Sequence, residues 1–212
     1  MDLTIDQLIK NGNHYKNIKN YDAMKNCYLK AIEQNSDKAM YNLAVYYKNI
    51  SDYNNMIKYY KMAINNNNKE ALFGLIEYYK DLICNYDDEN YEEMIKYYLM
   101  AIDLGNVDAM NILADYYNYN KKFEEMKKYY LMAIDLGNVD AMRNLAEYYD
   151  DNEDYEEMEK YYLMAIDLGN IDAMNSLADY YNDDKNYEEM KKYYLMAIEK
   201  NNSSAMINLG NY

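Results

Sequence analysis

The sequence predicts an all-α fold, a solenoid of antiparallel helix pairs repeated about every 32 residues. Three observations predict it. One ten-residue string, Tyr-Tyr-Leu-Met-Ala-Ile-Asp-Leu-Gly-Asn, starts at Tyr97, Tyr129 and Tyr161. Apolar residues recur with helical spacing throughout, and no segment alternates with the period of two that a half-buried strand needs. Repetition at a fixed period of this length is the mark of stacked supersecondary units.

The register can be followed on two anchors, Ala31, Ala63, Ala101, Ala133, Ala165 and Ala197, and Leu43, Leu75, Leu113, Leu145, Leu177 and Leu209. Both keep a step of 32 except once, where it is 38, so a six-residue insertion lies around Lys80–Asn90. This divides a single repeat domain, residues 1–212, into repeats at about 5–36, 37–68, 69–106, 107–138, 139–170 and 171–202. A terminal helix at 203–212 follows, closing the stack with a face that Ile207 and Leu209 leave only partly polar. A chain that stops in mid-repeat also fits a truncation.

Each repeat reads as two helices; in the regular repeats the first carries Ala-Met-x-x-Leu-Ala-x-Tyr-Tyr, as at Ala109–Tyr117. Met110, Leu113, Ala114 and Tyr117 share one face. The second carries Glu-Glu-Met-x-Lys-Tyr-Tyr-x-Met-Ala-Ile, as at Glu124–Ile134, with Met126, Tyr130, Ala133 and Ile134 on one face. Gly105, Gly137 and Gly169 suit the left-handed conformation that ends a helix, and the asparagine after each can cap the next helix. Helices of this length are marginal alone, so each pair needs its neighbour. Small alanines allow close approach, and Tyr and Met fill the gaps.

At these residues the chain resembles the tetratricopeptide and Sel1-like repeat families. The first repeat, Leu8-x-x-x-Gly12-x-x-Tyr15 followed by Tyr21-x-x-Met24-x-x-x-Tyr28-x-x-Ala31-Ile32, is similar to a tetratricopeptide repeat. Met24, Met56, Met94, Met126, Met158 and Met190 replace that family's usual small alanine. Later repeats, with Tyr129-Tyr130-x-x-Ala133-Ile134-x-x-Gly137-x-x-x-Ala141-x-x-x-Leu145-Ala146 and no proline, are closer to the Sel1-like form. The resemblance implies a right-handed superhelix that scaffolds protein complexes, with first helices lining a concave groove, and it does not imply catalysis.

Composition bounds the function. The formal charge is −15 and pI about 4.5, which argues against a nucleic-acid partner, since phosphate contacts need clustered Lys and Arg. The charge is polarised: residues 1–68 hold nine Lys and six acidic residues, +3, and residues 69–212 hold 13 basic and 31 acidic, −18. Two cysteines make no disulfide framework, and no signal core or membrane span is read, so the expectation is a soluble cytoplasmic protein.

On the family's geometry, the expected partner groove runs over the first helices of repeats four to six. It comprises Asp108, Asn111, Asp115 and Asn118, then Asp140, Arg143, Asn144 and Glu147, then Asp172, Asn175, Asp179 and Asn182, with Ile112, Asp150 and Ser176 on the same faces. Carboxylates there would take Lys or Arg, and amides would take peptide backbone. The competing reading is a solvated face, with Asp108, Asp140 and Asp172 serving helix N-termini. Arg143 is alone among these positions, which disfavours a basic clamp for a terminal carboxylate.

A row of leucines, Leu29, Leu99, Leu131, Leu163 and Leu195, falls beside charged residues on the second helices. Partial burial against the next repeat is the favoured reading, and a self-association surface is the alternative. The acidic loops Asp87–Glu89 and Asp150–Asp154 invite a calcium reading. A calcium loop needs Gly at position six and Glu at twelve, where the count from Asp150 finds Tyr155 and Tyr161. The recurring pairs Glu92-Glu93, Glu124-Glu125, Glu156-Glu157 and Glu188-Glu189 fit helix-dipole stabilisation better than a catalytic dyad, which has no reason to recur in every repeat. His14, Cys27 and Cys84 form no metal or nucleophile pattern. The reading is therefore a non-enzymatic adaptor with no catalytic, metal or cofactor site. It binds a Lys/Arg-rich protein or peptide and is a monomer or weak homo-oligomer.

Overall fold

A computed structural model describes residues 3–83 and 91–212. The insertion around Cys84 and the loop Asp87–Glu89 lie largely or wholly outside these residues. Thirteen helices are found among the described residues, and no strand. They fall into two compact units, Met1–Leu104 and Gly105–Tyr212. The amino-terminal unit holds α1 (Ile5–Asn17), α2 (Tyr21–Glu33), α3 (Asp37–Asn49), α4 (Tyr53–Asn65), α5 (Lys69–Ile83) and α6 (Tyr91–Asp103). The carboxy-terminal unit holds α7 (Val107–Tyr119), α8 (Phe123–Asp135), α9 (Val139–Asp151), α10 (Tyr155–Asp167), α11 (Ile171–Asp183), α12 (Tyr187–Glu199) and α13 (Ser203–Gly210). Within each unit the architecture is an all-α solenoid, each helix packing on the next in sequence. The α5 helix has 15 residues where its counterparts have 13, so part of the insertion extends it.

Three-residue connections explain the period. At the junction of α8 and α9, Gly137 adopts φ +82°, its N–H donates to Ile134 O, and the Asn138 N–H reaches back to Ala133 O. The Asn138 side chain then accepts from the Ala141 N–H at 2.7 Å. One asparagine thus closes one helix and opens the next. Asn170 does the same, its N–H reaching Ala165 O and its side chain capping Ala173 at 2.7 Å, and Asn106 caps α7 through the Ala109 N–H at 2.7 Å. Turns between paired helices use residues with side chains in the left-handed region instead, Lys121 at φ 56°, Glu153 at 59° and Lys185 at 61°. The polar composition of those turns does not announce that conformation.

The core is built from the predicted faces. Met126, Ala133, Leu113 and Ala114 are fully buried, and Met24, Met56 and Met158 likewise. A methionine fills the place where the resembled family uses alanine. Tyr117 is only half-buried, and its place on the face is taken by Tyr116. The tyrosines form a ladder. Tyr117 stacks on Tyr129 with centroids 5.6 Å apart, and Tyr149–Tyr161 and Tyr181–Tyr193 repeat this at 5.8 Å. Between repeats, Phe123 meets Tyr148 at 5.3 Å and Tyr155 meets Tyr180 at 5.1 Å. These contacts account for much of the tyrosine content as packing.

Candidate functional site

The first helices of the carboxy-terminal unit do not present their predicted groove residues uniformly. Asp108, Asp140 and Asp172 are exposed in the first turns of α7, α9 and α11, two residues after the capping asparagines. That position suits a carboxylate facing the helix dipole. Asn118 and Asn182 are exposed near the ends of α7 and α11. Asn111 and Asn175 are half-buried, and their Oδ1 atoms have no hydrogen-bond partner among the described residues.

The inner positions are engaged in holding the fold. Tyr130, 1 % exposed, donates its hydroxyl to Asp115 Oδ1 at 2.6 Å, and Asn144 Nδ2 donates to the same oxygen at 3.0 Å. One carboxylate therefore ties α7 to α8 and to α9. Burial pushes its pKa upward, against the pull of Tyr130, Asn144 and Arg143. Asp179 repeats the arrangement, accepting from the Tyr194 hydroxyl and from Asn208 Nδ2 at 3.4 Å. In the repeat between them Glu147 pairs with Arg143. Burial works against the Arg143 charge, and Glu147, Asp140 and Asp172 outweigh it. Arg143 is thus engaged by Glu147 on its own helix.

The stacking of repeats five and six opens a cleft of about 570 Å³. Asp150, at the end of α9, and Asp179, Asp183 and Asp184, along and after α11, line it with Ser176, Tyr155 and Tyr180. No Lys, Arg or His lies within 4 Å of these carboxylates as an ion pair among the described residues. Burial, then the neighbouring Asp151 and Asp183, raises the Asp150 pKa. Tyr180 is raised by burial and by Asp184 beside it. The cleft is therefore electronegative, with two aromatic rings in its wall. Sequence reading placed Asp150, Ser176 and Asp179 on the groove face. It passed over Tyr155, Tyr180, Asp183 and Asp184, because these reach the cleft only through stacking. The repeated acids at the carboxyl ends of α9 and α11 were the one available signal.

The remaining sequence candidates are structural in setting. Glu157 and Glu189 pair with Lys160 at 2.6 Å and Lys192 at 2.7 Å within their own helices. Cys27 is half-buried, which raises its pKa, and His14 is exposed beside Tyr15. Among the described residues no group of His, Cys, Asp or Glu is arranged to hold a metal ion, and no helix is long and apolar enough to cross a membrane. Leu29, Leu99, Leu131 and Leu195 keep 41, 37, 41 and 51 % of their surface, while Leu163 is half-buried.

A sequence profile described as tetratricopeptide repeat matches residues 12–38, 37–70, 139–168 and 171–202, more than half of the chain. The chain belongs to the tetratricopeptide-repeat family. Solved structures agree on the fold of this tetratricopeptide protein. The C-terminal part of a TPR repeat-containing protein from Cytophaga hutchinsonii superposes with a TM-score of 0.72 at 13 % identity, covering 97 % of this chain and 88 % of that one. A Sel1 repeat protein from Oxalobacter formigenes gives 0.57 at 21 % identity, over 93 and 88 %. A protective antigen of uropathogenic Escherichia coli with an SLR fold gives 0.62 at 19 % identity. That match covers 98 % of this chain and 48 % of the antigen, so the tetratricopeptide protein spans about half its length. No curated protein sequence matches the chain. Repeats of this kind are typical protein–protein interaction scaffolds.

Proposed function

We propose that this protein is a non-enzymatic adaptor whose carboxy-terminal unit binds a Lys/Arg-rich segment of a partner protein. The observation that carries the reading is the 570 Å³ cleft, lined by four aspartates with no Lys, Arg or His in ion-pair distance of them among the described residues. A lysine or arginine head entering it would meet carboxylates on two helices and relieve their mutual repulsion. Its aliphatic stem would lie against Tyr155 and Tyr180. The exposed Asp140 and Asp172, and the amides of Asn111 and Asn175, would meet flanking charge and peptide backbone.

Fluorescence anisotropy with a labelled Lys/Arg-rich peptide tests this against a Glu-rich control. Affinity for the basic peptide should fall steeply between about 50 and 500 mM salt. Asp183→Asn with Asp184→Asn should weaken it about tenfold, a change of about 1.4 kcal/mol. Asp135→Asn, an exposed change outside the cleft, should leave it unaltered. Equal binding of the acidic peptide, or affinity indifferent to salt, would refute the reading.

A further inference from the structure

We propose that repeats one and two carry a second docking face, for an acidic segment of a partner protein in which Asp or Glu flank an apolar side chain. The face sits at the place in the repeat that the acidic cleft occupies in repeats five and six. In register, Asp150 is matched by Lys16, Asp179 by Val45, Asp183 by Asn49 and Asp184 by Ile50. All four carboxylates are gone, and a lysine stands in place of one. The aromatic wall is kept. Tyr21 meets Tyr46 with centroids 5.3 Å apart and planes at 38°, as Tyr155 meets Tyr180 at 5.1 Å and 36°. Lys16, Tyr21 and Asn49 are exposed, and Ile50 keeps 52 % of its surface. The same place in the repeat thus joins a cation to apolar surface instead of four acids.

The two first helices extend the reversal. Lys10, Lys16, Lys38 and Lys48 on α1 and α3 face only two acids on those helices, Asp6 and Asp37, whereas α9 and α11 hold one Arg and seven acidic residues. The four lysines are exposed, and none forms an ion pair among the described residues. Helix stability does not account for them. Lys16 and Lys48 lie in last turns, where the dipole favours a cation, but Lys38 lies in the first turn of α3, where it disfavours one and where α9 and α11 have Asp140 and Asp172. Lys10 is in mid-helix, beyond the reach of either end. Asp37, next to Lys38, already accepts from Asn68 Nδ2 at 2.8 Å. An acidic segment would set carboxylates on Lys16 and Lys48 and lay an apolar side chain on Ile50 and Tyr21, with Lys10 and Lys38 adding attraction. A long polyanion such as nucleic acid fits poorly, because residues 69–212 sum to −18 and repel it, whereas a short segment needs only these lysines. The face is independent of the acidic cleft, and with it the adaptor would join an acidic partner to a basic one.

Fluorescence anisotropy of the whole chain tests the proposal, with a labelled peptide of Glu residues around a central Leu, blocked at both ends. Saturable binding is expected below about 1 mM, weakening between about 50 and 500 mM salt. A peptide of Glu alone should bind at least about tenfold more weakly, because it gains nothing from Ile50 or Tyr21 and meets a chain of charge −15. Lys16→Asp with Ile50→Asp, which copies Asp150 and Asp184 into exposed positions, should abolish binding with an unchanged circular dichroism spectrum. Lys38→Glu with Lys48→Glu should weaken it at least about tenfold, and Lys38→Arg with Lys48→Arg should retain it. Lys30→Glu, an exposed change on α2, should leave it unaltered. Asp183→Asn with Asp184→Asn should leave it unaltered too, and the lysine variants should still bind the basic peptide, so the two faces stand or fall separately. Absence of saturation at about 1 mM would overturn the proposal, as would binding indifferent to the lysine variants. So would equal affinity for a single-stranded oligonucleotide of the same charge, or self-association of the chain that the lysine variants abolish, which would make a second copy the occupant.

Discussion

Replacing Asp115 separates the two roles that this carboxylate plays, accepting hydrogen bonds and carrying charge. Asp115→Ala removes the acceptor for both the Tyr130 hydroxyl and the Asn144 amide, which meet it at 2.6 and 3.0 Å. Tyr130 is 1 % exposed and has no access to water in compensation. An unsatisfied buried donor costs about 1–3 kcal/mol, and the lost packing adds to it, so a loss of about 2–3 kcal/mol is expected. For a chain of this size that lowers Tm by about 4–12 °C. Asp115→Asn keeps an Oδ1 that can accept from both donors and removes a charge that burial penalises. It should match or exceed the native stability at pH 7. The pH dependence has a definite sign. Burial raises the folded-state pKa of Asp115 above its ordinary value, so between the two values the native state binds more protons than the unfolded one. Stability from this group is therefore greatest in acid and falls as pH rises through the folded pKa. The advantage of the Asn variant should grow over that interval and then stay constant to pH 7. Urea unfolding of the native, Ala and Asn proteins from pH 4 to 7.5 measures this. If the Asn variant lost as much as the Ala variant, at every pH, the ionised carboxylate would be stabilising and the reasoning would fail.

Four further outcomes follow from the packing and the caps. A Cβ at Gly12 would stand 2.5 Å from Tyr28 Cε1, and Tyr28 is fully buried with its hydroxyl bonded to Asn13, so Gly12→Ala should cost about 1–3 kcal/mol in thermal unfolding. Gly137→Ala meets nothing within 4 Å but has φ +82°, and should cost only the ~1–2 kcal/mol of a left-handed residue. Met126→Ala restores the residue common in the resembled family yet should lose about 2–5 kcal/mol in urea denaturation, because Met126 is 0 % exposed and nothing else fills its volume. Asn138→Ala should cost about 1 kcal/mol and Asn138→Asp almost nothing, since only the cap acceptor to Ala141 is at stake.

The sequence by itself determined the repeat, its helices and its core. The same residues recur at the same spacing, and a helix face is a local consequence of 3.6-residue periodicity. Gly137 and Asn138 were legible as a terminator and a cap because their chemistry acts within four residues. The positive φ of Lys121, Glu153 and Lys185 was not, since no composition signal marks a side chain held there by the flanking helices. The candidate site was legible in part. Spacing placed Asp115, Asn144 and Asp179 on one face, but it took stacking to turn Asp115 and Asn144 inward onto Tyr130 and to bring Asp150 beside Asp183. Tertiary structure alone decided which acids are joined by hydrogen bonds and which are left facing a cleft. The Tyr130 and Tyr194 hydroxyls each claim a carboxylate from a neighbouring helix, Asp115 and Asp179, whereas Asp150, Asp183 and Asp184 sit at or beyond the helix ends, away from those hydroxyls.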